Sequence, residues 1–110
     1  MSKTNYKPCD LLPLGPLWEV VEVLEHGAEK HSPFGWQDTD RYDAEYYFNK
    51  AAGHLAKYKM GETREEESGK HHVAHAIADL LFVMWHDGQT LHDFESIEEL
   101  KTQIALFLGG

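Results

Sequence analysis

The stretch Glu67-Ser68-Gly69-Lys70-His71-His72-Val73-Ala74-His75-Ala76-Ile77-Ala78-Asp79 decides how this chain is read. His72 and His75 are three positions apart, and His75 and Asp79 are four apart. On a helix these spacings bring all three side chains to one face, with neighbouring Cβ atoms about 5–6 Å apart. The apolar run behind them predicts a helix over about 70–85, stopped by Gly88. Imidazole and carboxylate groups converging from one helix face are how helical bundles build metal sites. Mixed ligands of this kind suit Mn²⁺, Mg²⁺ or Zn²⁺. Glu67 stands just ahead of the helix, where a loop carboxylate can fold over the first turn. Two imidazoles and an aspartate in register, behind a glutamate-rich loop, favour a functional face over histidines satisfied within a core.

One helix rarely encloses an ion, so a second element is needed. Residues 42–60 carry Tyr47, Ala51, His54, Leu55 and Tyr58 within one broad face, which predicts a second helix with His54 turned inward. Asp38 and Asp40 are its candidate N-caps, and Gly61 is its candidate C′ residue. An earlier helix is predicted from Pro16, suited to a first helical position, to about His31. Its apolar stripe is Trp18, Val21, Leu24 and Ala28. Its Glu22 and Glu25 read as a solvated face rather than a metal pair. A last helix runs from about Ser96 to Leu108, where Ser96 and Glu99 have capping-box spacing. Residues 1–16 form an arm, because Pro8, Pro13 and Pro16 fix φ and remove donors; Leu11, Leu12 and Leu14 are expected to dock it. Residues 17–110 then make a single all-helical domain. No segment alternates like a strand. The expected architecture is all-α, a four-helix bundle or half of a dimeric one.

The 110 residues suit one domain with a thin core, since a chain this size buries only about two-thirds of its unfolded surface. Ten basic against nineteen acidic residues give a formal charge of −9, which argues against a nucleic-acid partner held by its phosphates. The same excess carboxylate suits hard cations, and through them a small phosphate substrate. A single cysteine, Cys9, excludes an intrachain disulfide. A polar start without an apolar leader, and no run long enough to span a bilayer, point to a cytoplasmic protein with no membrane partner. Lys30, near the end of the first helix, offers a point charge to phosphate or simply complements the helix dipole. Trp36 offers a stacking surface for a base or caps the core.

These residues resemble a known family. The series Lys7…Asp10-Leu11-Leu12-Pro13, Gly27-Ala28-x-Lys30, Trp36, His54-Leu55, Gly61-Glu62 and Glu67-Ser68-Gly69-x-x-His72-x-x-His75-Ala76 is similar to phage-type dATP/dGTP diphosphohydrolases. Those are small relatives of the MazG-like all-α nucleoside triphosphate pyrophosphohydrolases. The resemblance implies a helical, usually oligomeric protein, a dimer or tetramer, with two or three Mg²⁺ or Mn²⁺ ions. It implies hydrolysis of dGTP or dATP to monophosphate and pyrophosphate, in the host cytoplasm if phage-encoded. On this chain it implies metal ligands among His54, Glu67, His72, His75 and Asp79. A metal-activated water follows from it, which Glu67, or one of Glu65 and Glu66, is placed to orient or deprotonate; a catalytic role for Lys30 and substrate contacts from Lys7, Lys30, Trp36 and Ser68 are expected with it. The sequence departs from the ordinary MazG-like pattern. Asp79 sits at the aspartate of E-x-x-D, but His75 and Ala76 occupy the glutamate positions, and Gly53 replaces an expected basic residue.

Two other functions compete. His86-Asp87, with Asp93 downstream, forms an HD dipeptide of the kind found in HD-type phosphohydrolases. It follows His75 by about 11 positions, roughly 16 Å along a helix axis, and so makes a separate site. A non-catalytic protein that sequesters a nucleotide would use the same metal ligands.

Overall fold

The computed structural model describes residues 6–88 and 96–107. Among them are four α-helices: α1 (Leu14–Lys30), α2 (Ala44–Lys59), α3 (His72–Asp87) and α4 (Ile97–Phe107). Short 3-10 turns span Pro8–Leu11 and Gly35–Gln37. The described residues contain no strand, only an isolated bridge between Arg64 and His71. The all-α class is therefore as expected.

The chain divides into two compact units. One comprises residues 1–14 and 91–110, and the other residues 15–90. In the first, the Pro8–Leu11 turn lies against α4. Ser96 Oγ accepts the Glu99 N–H at 3.1 Å, as the capping spacing predicts. Leu11, Leu12 and Leu14 are exposed. The fourth helix of the expected bundle thus belongs to a different unit from the other three.

The second unit is built on a helical hairpin. Tyr58 meets His71, His54 meets His72 and His75, and Tyr47 meets Phe82 and His86. Numbers fall along α2 as they rise along α3, so the two helices are antiparallel. α1 adds Val20 and Val23, which pack with Ala74 and Ala78 of α3. Its buried stripe is shifted from the expected one, and Trp18 is 61% exposed.

The helix ends follow from capping chemistry. α1 starts at Leu14, two residues before Pro16, because the first four helical N–H groups are unpaired anyway and one can be absent. α2 is capped by Asp43, whose Oδ1 accepts the Tyr46 N–H at 2.8 Å. The expected cap Asp38 instead accepts the Asp40 N–H. At the other end, Gly61 has φ +108°. Its N–H bonds Tyr58 O, and the Glu62 N–H bonds Lys57 O, both at 3.0 Å. That is a Schellman motif, which pins Glu62 beside the hairpin. α3 starts two residues later than expected. Lys70 and His71 are used in pairing with Glu65 and Arg64, and His71 Nδ1 caps the Val73 N–H at 3.0 Å. Gly88, φ +68°, ends α3 as predicted.

Candidate functional site

The loop between α2 and α3 is ordered by a carboxylate. Glu65 accepts backbone N–H groups of Glu67 and Ser68, the latter at 3.1 Å. Burial pushes the Glu65 carboxyl up, but these bonds, the Ser68 hydroxyl and nearby His75 outweigh it and hold the group below its ordinary range. Gly69, φ +72°, allows the chain to turn back. Contacts to α1 hold the outer side. Glu19 Oε2 accepts the His71 N–H at 2.6 Å, and Glu22 pairs with Lys70 at 3.4 Å. The Glu19 carboxyl is held low, first by that backbone bond. Glu22 thus serves a surface ion pair, in line with its reading as a solvated residue.

Four side chains then meet where the loop folds over the hairpin. His54 Nδ1 and His72 Nδ1 are 2.8 Å apart. The His54 ring stacks on His75 with centroids 4.7 Å apart, and its Nε2 lies 4.0 Å from Asp79 Oδ2. His75 Nε2 bonds Ser68 Oγ at 2.7 Å and lies 3.8 Å from Glu65 Oε1. Burial, with His75 and His72 adding their repulsion, holds His54 down to about 4. Burial also lowers His75, against the pull of Glu65. Asp79 is 8% exposed, and burial raises its carboxyl to about 7 although Lys50 draws it back. A histidine kept neutral beside a carboxyl kept protonated is an environment typical of functional sites.

This cluster forms one wall of an open cleft of about 1150 Å³. His54, His75, Asp79, Glu65 and Glu67 line it on the inner side. Lys30, Arg41 and Lys50 also line it, giving a strongly acidic chain a local set of cations. Lys30 Nζ pairs with Glu67 Oε2 at 2.8 Å, and His26 Nε2 lies 3.9 Å from Glu67 Oε1. The far wall is aromatic. Trp36 stacks on Phe82 at 4.8 Å and meets Trp85 edge-on at 5.1 Å, while its carbonyl takes His86 Nε2. Trp36 is half-buried against these rings and lines the cleft.

The structure thus brings together His54, His75, Asp79, Glu67 and Lys30 of the expected site. His72 adjoins them but is fully buried behind His54. Ser68 holds the loop onto His75 and does not line the cleft, and Glu66 is exposed beside it. Lys7 lies in the other unit, where its backbone N–H donates to Asp10 Oδ2. The HD dipeptide is occupied structurally: the His86 ring stacks on Tyr47, and Asp87 is exposed. Asp93 lies outside the described residues. Sequence reasoning missed His26, Lys50, Glu62 and the ordering role of Glu65. Two signals were available, since His26 precedes Lys30, and Lys50 precedes His54, by one helical turn. Among the described residues no three His, Cys, Asp or Glu side chains already converge as a metal cage. The donor chemistry nonetheless fits a divalent cation. His54 Nε2 and Asp79 Oδ2 face each other at the cleft, leaving further positions for a ligand's own oxygens.

Fold and site together define an all-helical protein that presents imidazoles and carboxylates to a ligand-sized cleft. The chain belongs to the family described as dATP/dGTP diphosphohydrolase, N-terminal, whose model matches residues 2–94. It is similar to a protein of Salmonella phage PMBT28 named dATP/dGTP diphosphohydrolase, with 30% identity over 67 residues. That match covers 61% of this chain and 22% of the phage protein, so the chain spans about a fifth of this relative's length. No solved structure matches. Among the described residues no helix is long and apolar enough to cross a membrane.

Proposed function

We propose that this chain is a metal-dependent nucleotide pyrophosphohydrolase domain that converts dGTP or dATP to the monophosphate and pyrophosphate. The observation that carries the reading is the meeting of His54 and Asp79 at the wall of the cleft, beside the Lys30–Glu67 pair. The family and the name of the phage relative support the substrate class. His54 Nε2 and Asp79 would hold a divalent cation such as Mg²⁺ or Mn²⁺. When bound, such a cation supplies charge neutralisation and Lewis acidity at the phosphates. Lys30, released from Glu67 by the incoming triphosphate, puts its charge on the phosphate chain. Glu67 is then free to accept the proton of the water that attacks the α-phosphorus. The α–β anhydride bond breaks and pyrophosphate leaves. The aromatic wall around Trp36 offers a π-face to the base.

Incubation with each deoxynucleoside triphosphate and Mn²⁺ or Mg²⁺, with products resolved by chromatography, tests the bond. Monophosphate plus pyrophosphate is the expected pair. Diphosphate plus phosphate, or nucleoside plus triphosphate, contradicts it. Asp79→Asn abolishes turnover, whereas Asp87→Asn, in the HD dipeptide, leaves it intact.

The same cleft residues would also serve nucleotide binding without turnover. Retention of intact triphosphate after prolonged incubation with metal selects it.

A further inference from the structure

His72 is the largest fully buried side chain among the described residues, at 0% exposure. Its two ring nitrogens face very different neighbours. Nδ1 is 2.8 Å from His54 Nδ1. Nε2 has no hydrogen-bond partner, yet Glu62 Oε2 stands 3.2 Å away, off the ring's N–H direction. A buried ring nitrogen beside a carboxylate with nothing else to meet is an unexplained feature of this hairpin.

The Nδ1–Nδ1 contact has a consequence for both rings. Between two neutral imidazoles, one nitrogen must carry the hydrogen and the other must be bare. If His72 donated, its Nε2 would be a bare lone pair, buried 3.2 Å from a carboxylate oxygen. Two acceptors would then stand side by side with no donor between them. If His54 donates, His72 carries its hydrogen on Nε2, where the Glu62 charge attracts it. We infer that Glu62 and His72 act as a positioning pair that fixes the Nδ1–H tautomer of His54 and turns a bare His54 Nε2 toward Asp79 and the cleft.

This arrangement gives His72 a role other than ligation. Its Nδ1 is consumed by His54, its Nε2 lies 3.2 Å from Glu62 Oε2, and it does not line the cleft. His54 is the residue that reaches the cleft, and His72 sets which of its nitrogens is available. Orienting groups of this kind behind a ligating histidine are a general feature of metal sites. The chain order supports the geometry. The Schellman turn at Gly61 places Glu62 at the foot of the hairpin, and the Thr63 carbonyl accepts the His72 N–H at 2.8 Å. Glu62 and His72 are thus tied together through the backbone as well as by charge.

The inference rests on the proposed function for its meaning, since an available nitrogen matters only if the cleft takes a cation or substrate. Its test does not require turnover. Metal-free protein labelled with ¹⁵N-histidine is studied at about pH 8, where histidine is ordinarily neutral. Long-range proton–nitrogen correlation spectra identify which ring nitrogen carries hydrogen. The expected result is Nδ1–H on His54 and Nε2–H on His72. The reverse pair of tautomers overturns the inference. Because replacing the buried His72 risks unfolding, the variant is Glu62→Gln, at a partly exposed position. It removes the charge and is expected to shift His54 toward the commoner Nε2–H form. An unchanged spectrum in Glu62→Gln also overturns the inference. A correct tautomer pair without nucleotide hydrolysis would leave this inference standing and remove the enzymatic reading; hydrolysis with the reverse pair would do the opposite.

Discussion

Asp79 and His54 carry opposite perturbations 4.0 Å apart, and their pH consequences oppose each other. Burial holds the Asp79 carboxyl at about 7 against an ordinary 3.8. Between those values the unfolded chain releases a proton that the fold retains, so stability falls as pH rises. His54 behaves in the other sense. Burial first, then His75 and His72, hold it at about 4 against 6.5. Between those values the unfolded chain takes up a proton that the fold refuses, so stability rises with pH. Each effect amounts to a few kcal/mol, on the order of 3–4. Their slopes nearly cancel between about pH 4 and 6.5, and single substitutions uncover them. Asp79→Asn leaves the His54 slope, so the metal-free variant gains stability from about pH 4 to 6.5. His54→Gln leaves the Asp79 slope, so that variant loses stability from about pH 4 to 7. Urea denaturation across this range measures both. Profiles that stay parallel to that of the parent protein would show that neither group is buried as described.

At the level of the element, the decisive feature is the loop that joins α2 to α3. Two substitutions separate a loss of helix stability from the loop's positioning role. Asp43→Ala removes the N-cap of α2 and costs about 1 kcal/mol. Gly61→Ala forces a side chain into φ +108° and costs about 1–2 kcal/mol. Both lower the melting temperature by several degrees, roughly 4–8 °C per kcal/mol for a domain this size. Only Gly61→Ala moves Glu62, so only it should alter the imidazole spectrum of the His54–His72 pair. The same elements show what was legible in the sequence. Gly61, Gly88 and Ser96 ended or began helices where expected, because each acts through its own backbone or hydroxyl. The N-cap of α2 is Asp43 rather than Asp38 or Asp40 because all three aspartates lie within reach, and the choice among them depends on the 3-10 turn at Gly35–Gln37. His54, His75 and Asp79 were found by helical period, which is a local property. Glu62 and Glu65 were harder, since a loop has no period and its side chains are aimed by hydrogen bonds made only after folding. His72 was in register with His75, but register does not say which imidazole reaches the cleft and which stands behind it.

For the whole molecule, the question is what covers its apolar surface. Four of the seven buried apolar residues among the described residues are alanines: Ala51, Ala74, Ala76 and Ala78. Larger apolar side chains lie outside. Ile77, Leu80, Leu81 and Met84 fall at i, i+3, i+4 and i+7 on α3 and are 39–55% exposed. A stripe of this period on a half-buried helix is the pattern of a helix with a second partner. The small core explains why one would be needed, since alanine burial contributes little transfer free energy per residue. We predict that the chain self-associates through this face. Sedimentation velocity should then give a mass at least twice 12.6 kDa, and the melting temperature should rise with protein concentration. Leu80→Lys with Met84→Lys places two charges in the stripe and should return the protein to monomer. Leu81 is left unchanged because it also lines the cleft. The His54–His72 pair should keep its spectrum in that variant, because neither substituted residue touches it. A parent protein that sediments as a monomer at high concentration would mean that the stripe faces solvent, and that unit 15–90 is stable on α1, α2 and α3 alone.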